Sequence, residues 1–190
     1  VLEFLFPNLT CLVCKTEING GGYICGVCEK TLPRCDDIAP FFYKDPIVGL
    51  IMRFKYNAEG DIAKLFAPYM IEMINDDIDF LVPVPLSGER MKERGYNQAL
   101  LIAKQLNKLI ADVLIRTRKT IPQKNMSIKK RQENLKGAFK IIKNHGIIGK
   151  NILLVDDVYT TGATVMECKH VLMKNGANRV DIITMAKVEQ

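Results

Sequence analysis

The run Ile152-Leu-Leu-Val-Asp156-Asp157-Val-Tyr-Thr160-Thr161-Gly162-Ala163-Thr164 narrows the possible folds more than any other stretch of the chain. It opens with a short, branched apolar run of the length of a fully buried strand. Two carboxylates follow at the expected end of that strand, then a turn of small hydroxyl residues around one glycine. Beyond the turn, Val165, Cys168 and Leu172 recur at the spacing of one helix face. A strand, an acidic tip, a small loop and a helix in that order form the unit of a parallel α/β sheet.

The unit has a chemistry. The first N–H groups of a helix lack internal partners and carry roughly +0.5 charge. With the hydroxyls of Thr160, Thr161 and Thr164, the Thr160-Thr161-Gly162-Ala163-Thr164 loop forms a receptacle for a phosphate monoester. Gly162 lets the backbone approach the anion. Asp156 and Asp157 are acceptor-only groups that repel phosphate and take hydrogen bonds from sugar hydroxyls. A ligand with a phosphate at one end and a diol at the other, such as ribose 5-phosphate, fits both. Neither G-x-x-x-x-G-K-[ST] nor G-x-G-x-x-G occurs, which removes the usual support for ATPase and dinucleotide readings.

A second constellation lies near the start of the chain. Cys11-x2-Cys14 is followed ten residues later by Cys25-x2-Cys28, with Gly20, Gly21, Gly22 and Gly26 for tight turns. Two such pairs suit a tetrahedral, structural zinc site with no open position. The competing pattern, two disulfides, needs an oxidising compartment. About 30 residues cannot bury enough apolar surface to fold alone, whereas a structural zinc supplies ~10–16 kcal/mol. Cys35 completes no third pair and reads as a free or buried thiol, and Cys168 reads as packing. The expected division is a four-cysteine module over 1–35 and an α/β domain over 36–190.

Charge is unevenly spread. Between Arg116 and Lys143 there are ten Lys/Arg and one acid, while the remaining 17 basic and 20 acidic side chains leave the rest at −3. A basic segment on a mildly acidic body predicts a polyanion site, with Lys124, Lys129, Lys130 and Arg131 as its candidates. Its low periodicity reads as an exposed loop or lid between two core strands. The longest apolar runs are too short to span a bilayer, and Val1–Pro7 lacks the basic start of a signal peptide.

Elsewhere, Ile38–Tyr43 reads as a strand. Ile47, Leu50, Ile51 and Phe54 mark one amphipathic helix, and Ile62, Leu65, Phe66, Tyr69 and Met73 a second. Phe80–Pro85 reads as a strand whose prolines suit a strand end or an edge position. A turn at Leu86–Arg90 follows, and Ala99, Ile102, Ala103, Leu106 and Ile110 predict a long helix. Asp112–Arg116 and Arg179–Met185 are further strand candidates. Ser87 and Gly88 offer backbone donors and Arg90 and Arg94 offer charge, together a candidate anion site. His145 and His170 sit in poor contexts for a general base.

The Ile152–Thr164 stretch resembles the phosphoribosyl-pyrophosphate (PRPP) motif of type I phosphoribosyltransferases. Together with the cysteine pairs, Phe54-Lys55-Tyr56, Val82-Pro-Val-Pro85, Arg94-Gly-Tyr-Asn-Gln98, Gln123, Arg131-x-x-Asn134 and Gly137-Ala-Phe139, it is similar to the ComF (ComFC-type) branch. The resemblance implies a parallel sheet flanked by helices, with a flexible loop over the site. It further implies PRPP or another 5-phosphoribosyl ligand with Mg²⁺, a catalytic role for Asp156 and Asp157, and single-stranded DNA as a second ligand. Its setting would be natural transformation in the cytoplasm, at the inner face of the membrane, beside a helicase-like partner and a membrane DNA channel. A nucleobase salvage transferase and a non-catalytic PRPP sensor or adaptor are the alternatives.

Overall fold

The nine-residue strand β5 (Asn151–Tyr159) is the spine of the fold. A computed structural model describes residues 10–18, 21–117, 134–142 and 146–189. Lys124, Lys129, Lys130 and Arg131 lie outside the described residues, as does most of the expected basic loop. Strand β5 runs parallel to β2 (Phe80–Pro83) on one side and to β6 (Arg179–Lys187) on the other. The short β1 (Phe41–Phe42) pairs parallel with β6, giving the order β1-β6-β5-β2. The expected α/β architecture is therefore present.

Period-two alternation along β5 divides the core in two. Leu153 and Val155 pack with α2 (Ile47–Tyr56) and α3 (Asp61–Ile71), whose stripes Ile47, Leu50, Ile51, Phe54 and Ile62, Phe66, Met70 are fully buried. Ile152 and Leu154 face the other way, against Val165, Cys168 and Leu172 of α6 (Ala163–Lys174). Both faces of a parallel sheet are thus covered.

Several elements differ from expectation. Strand β5 does not stop at the acids, because β6 keeps pairing with it as far as Tyr159↔Lys187. The strand expected over Ile38–Tyr43 shrinks to two residues. The turn after Pro85 becomes helix α4 (Gly88–Arg94), capped by Ser87, whose Oγ accepts from the Arg90 N–H at 3.3 Å, and ended by Gly95 at φ +78°. The expected long helix is the six-residue α5 (Gln98–Ala103). Past Asn107, at φ +51°, the chain turns and lays Leu109–Ala111 along β2, where Leu81 exchanges two hydrogen bonds with it. An otherwise bare edge is thereby covered.

The strand candidates on either side of the basic segment leave the main sheet altogether. Strand β3 (Leu114–Arg116) pairs antiparallel with β4 (Phe139–Ile141) as a separate two-stranded ribbon. The ribbon packs on α6 through Leu114 and Phe139. It is a flap on the core, where two core strands were expected.

The cysteine segment, with the short helix α1 (Gly26–Glu29), leans on α2 and α3. Leu12 and Leu32 join their apolar cluster. The Arg53 guanidinium donates to the Leu12 carbonyl and to Glu59, and the Tyr69 hydroxyl donates to Glu29 at 2.7 Å. Among the described residues, no helix is long and apolar enough to cross a membrane.

Candidate functional site

At the carboxyl ends of β2 and β5 a cavity of about 520 Å³ opens. Ligands of open parallel sheets bind at that edge. Of the residues singled out from sequence, Asp156, Asp157, Thr160, Thr164, Ser87, Arg90 and Arg94 all line it. Gly88 starts α4 behind Ser87 without lining the cavity. Thr161, Gly162 and Ala163 instead line an adjoining recess of about 30 Å³, which shares Asp156, Thr160 and Thr164 with the larger space. The recess holds no more than a water or so. It is a wall of main chain, with the ligand-sized volume beside it.

The loop owes its shape to Gly162, which caps α6 at φ +73° without any side-chain hydrogen bond to the helix start. The N–H groups of the first turn thus have no capping side chain. A Cβ on Gly162 would overlap the Tyr159 hydroxyl and lie 2.6 Å from its Cζ. Glycine is therefore required there both for conformation and for space.

Because β5 continues past them, Asp156 and Asp157 leave the strand on opposite sides. The Asp157 N–H donates to Asp156 Oδ1 at 2.8 Å. Burial, and then the Asp157 charge, pushes the Asp156 carboxyl up to about 7, against the pull of that N–H and of Lys55 and Arg90. Asp157 has cations instead, with Lys55 Nζ 3.0 Å and Arg94 Nη1 3.9 Å from its Oδ2.

Arg116, at the end of β3, lines the cavity as well. Burial, and then the nearby positive charge of Arg90, lowers its pKa. Two guanidinium groups facing one cavity make a site for a multiply charged anion. Sequence reasoning gave no role to Lys55 or Arg116. The available signals were faint: Lys55 lies off its helix's apolar stripe, and Arg116 opens the basic segment. Tyr43, Met52 and Tyr56 complete the wall nearest α2. His170 lines a different cavity, between β4 and α6.

Some distance away, the sulfur atoms of Cys11, Cys14, Cys25 and Cys28 lie within 4.8 Å of one another, and all are free thiols. Metal–sulfur bonds of ≈ 2.3 Å place tetrahedral ligands ~3.8 Å apart, and Cys14 Sγ and Cys25 Sγ are 3.7 Å apart. Main-chain N–H groups of Cys25 and Cys28 point at Cys11 Sγ and Cys25 Sγ at 3.4 and 3.5 Å. The Thr16 hydroxyl and N–H hold Cys14 down at about 6, whereas burial among the other thiols pushes Cys28 up to about 12. The donor set fits a metal that accepts four thiolates. Cys35 is buried and stands outside the cluster, and Cys168 is core.

A parallel sheet carrying an acid pair and a Thr-rich helix start at its carboxyl edge defines a class, the type I phosphoribosyltransferase fold. Residues 57–190 match the phosphoribosyl transferase domain family. Competence protein F of Haemophilus influenzae is 30% identical, over 93% of this chain and 84% of its own. Competence protein ComFC of Bacillus subtilis is 32% identical, over 80% of this chain and 67% of its own. DNA utilization protein YhgH of Escherichia coli K12 is 31% identical, over 83% and 75%. The chain belongs to the ComF-type family of proteins with a phosphoribosyl transferase domain.

Proposed function

We propose that the protein binds PRPP, or another 5-phosphoribosyl group, at the carboxyl edge of its sheet and acts in DNA uptake. One observation carries the ligand: a single cavity joins Thr160 and Thr164, Asp156 and Asp157, and the Arg90–Arg116 pair. The Thr160–Thr164 loop takes the 5′-phosphate and Asp157, with Asp156, the ribose diol. Ser87 and Arg90, joined by Arg116, face the pyrophosphate, and Arg94 lines the same space from deeper inside. Mg²⁺ arriving with PRPP would neutralise pyrophosphate charge. The carboxylates on the cavity wall that could serve the ion are those of Glu89, Glu93, Asp156 and Asp157.

In the catalytic form of this reading, pyrophosphate leaves C1 and an acceptor replaces it, while Asp156 and Asp157 favour the positive charge developing on the sugar. Incubation with PRPP, Mg²⁺ and a panel of bases and oligonucleotides, followed by pyrophosphate assay, tests it. Release with one acceptor names the substrate, and no release with any acceptor overturns turnover. A non-catalytic sensor is the second reading. It is favoured by the absence, among the described residues, of any histidine on the cavity wall.

The role in DNA uptake rests on relatives whose names record competence and DNA utilization. Single-stranded DNA as a ligand rests on the basic segment of the sequence. Asp157→Asn combined with Thr161→Ala is expected to weaken PRPP binding strongly and spare DNA affinity, and equal loss of both would place the two ligands in one site. The division into 1–35 and 36–190 and the zinc in the first part belong to the same reading. They are supported by four ligands that all precede Cys35.

A further inference from the structure

Two blocks, Phe54-Lys55-Tyr56 and Arg94–Gln98, each send one side chain, Lys55 and Arg94, to the same carboxylate, Asp157. Lys55, near the end of α2, places Nζ 3.0 Å from Asp157 Oδ2, with side chains 15% and 13% exposed. Arg94, the last residue of α4, approaches the same oxygen at 3.9 Å and is only 7% exposed.

The rest of the second block fixes Arg94. Its Nη1 donates to Gln98 Oε1 at 3.0 Å, and its guanidinium lies over the Tyr56 ring at 5.3 Å. Asn97 caps α5 by accepting from the Ala99 N–H, and its Nδ2 donates to the Val84 carbonyl beyond β2. The Tyr96 hydroxyl donates to the Phe54 carbonyl, one residue before Lys55. The block therefore ties the exit of β2, the start of α5 and the end of α2 into one frame around Asp157.

Stability does not account for the arrangement. Arg94 Nε and Gln98 Nε2 are buried without hydrogen-bond partners among the described residues. Buried donors left unsatisfied weaken a fold, and an apolar replacement of a buried ion pair is often at least as stable. A costly polar cluster opening onto the ligand cavity points to the site.

We propose that Lys55 and Arg94 are positioning residues that aim Asp157 at the ribose diol. Two cations from different elements restrict the carboxylate to one rotamer, and the oxygen facing the cavity accepts from a sugar hydroxyl. This rests on the phosphoribosyl reading of the cavity and adds to it the source of selectivity for ribose over deoxyribose.

The test compares ribose 5-phosphate with 2-deoxyribose 5-phosphate by calorimetry on the full chain. Wild type is expected to prefer the ribose form, and Lys55→Met to cut that preference roughly tenfold or more, the weight of a charge-assisted hydrogen bond. Affinity for 2-deoxyribose 5-phosphate should fall less than affinity for ribose 5-phosphate. Lys55→Arg should restore the preference, which keeps the test valid should Lys55→Met fold poorly. Arg94→Lys, without the planar fork, should restore it only in part relative to Arg94→Met.

The deciding arm is the double variant. Lys55→Met added to Asp157→Asn should change nothing further, because its partner is already gone. Full additivity, or an unchanged ribose preference in both Lys55→Met and Arg94→Met, overturns the positioning role and leaves the PRPP reading standing. A wild type that binds neither sugar phosphate overturns the PRPP reading itself and this proposal with it.

Discussion

Asp156 and Asp157 are adjacent in sequence and opposite in electrostatic setting. Asp157 faces two cations, whereas Asp156 is pushed up to about 7, first by burial and then by the charge of Asp157. The usual value of the group is 3.8, so between about pH 4 and about pH 7 the folded chain holds a proton that the unfolded chain releases. The stability this contributes is complete below that window and is lost as pH rises through it. Asp156→Asn should flatten the decline, read as denaturant midpoint against pH. A wild-type profile that rises over that range would contradict the assignment. Gly162→Ala is expected to destabilise by about 1–3 kcal/mol, since it adds a Cβ at φ +73° against the Tyr159 ring. Its thermal midpoint and its phosphate affinity should fall together.

At the scale of elements, α2 connects the parts, because 100° per residue turns three consecutive side chains in three directions. Arg53 reaches the Leu12 carbonyl, Phe54 is fully buried against Tyr96 and Lys55 meets Asp157. Phe54→Ala should cost about 3–5 kcal/mol in chemical denaturation, the range for a buried aromatic. Much of this scale is legible in sequence. The stripes of α2, α3 and α6 predict their buried faces because helix periodicity is local. Pairing is not local, so the ribbon of β3 and β4 is invisible when its partners lie more than twenty residues apart. The shortening of α5 is hidden for the same reason, since Leu109–Ala111 leaves the helical pattern to satisfy a strand far upstream. The loop residues Thr160–Thr164 are readable because one phosphate needs one helix start. Lys55 and Arg116 are not, because only the folded chain brings them to the acids.

Across the whole molecule, charge and metal set the terms. With ten of 27 basic residues between Arg116 and Lys143, DNA affinity should fall with log[salt] at about −0.7 per phosphate contact. A salt-independent Kd, or one unaltered by charge reversal at Lys129, Lys130 and Arg131, would remove the basic segment from the DNA site. Chelation should lower the thermal midpoint, because withdrawing an ion held by four sulfur atoms within 4.8 Å of one another removes its share of the folding free energy. An unchanged midpoint would show that the cluster carries no structural ion. The contact between Arg53 and Leu12 gives that loss a reach beyond the cysteines. Arg53 and Lys55 share the last turn of α2, so slackening at the one is delivered to the other. A chain starved of its ion is therefore expected to lose discrimination between the two pentoses before it melts, making sugar choice an early gauge of metal supply.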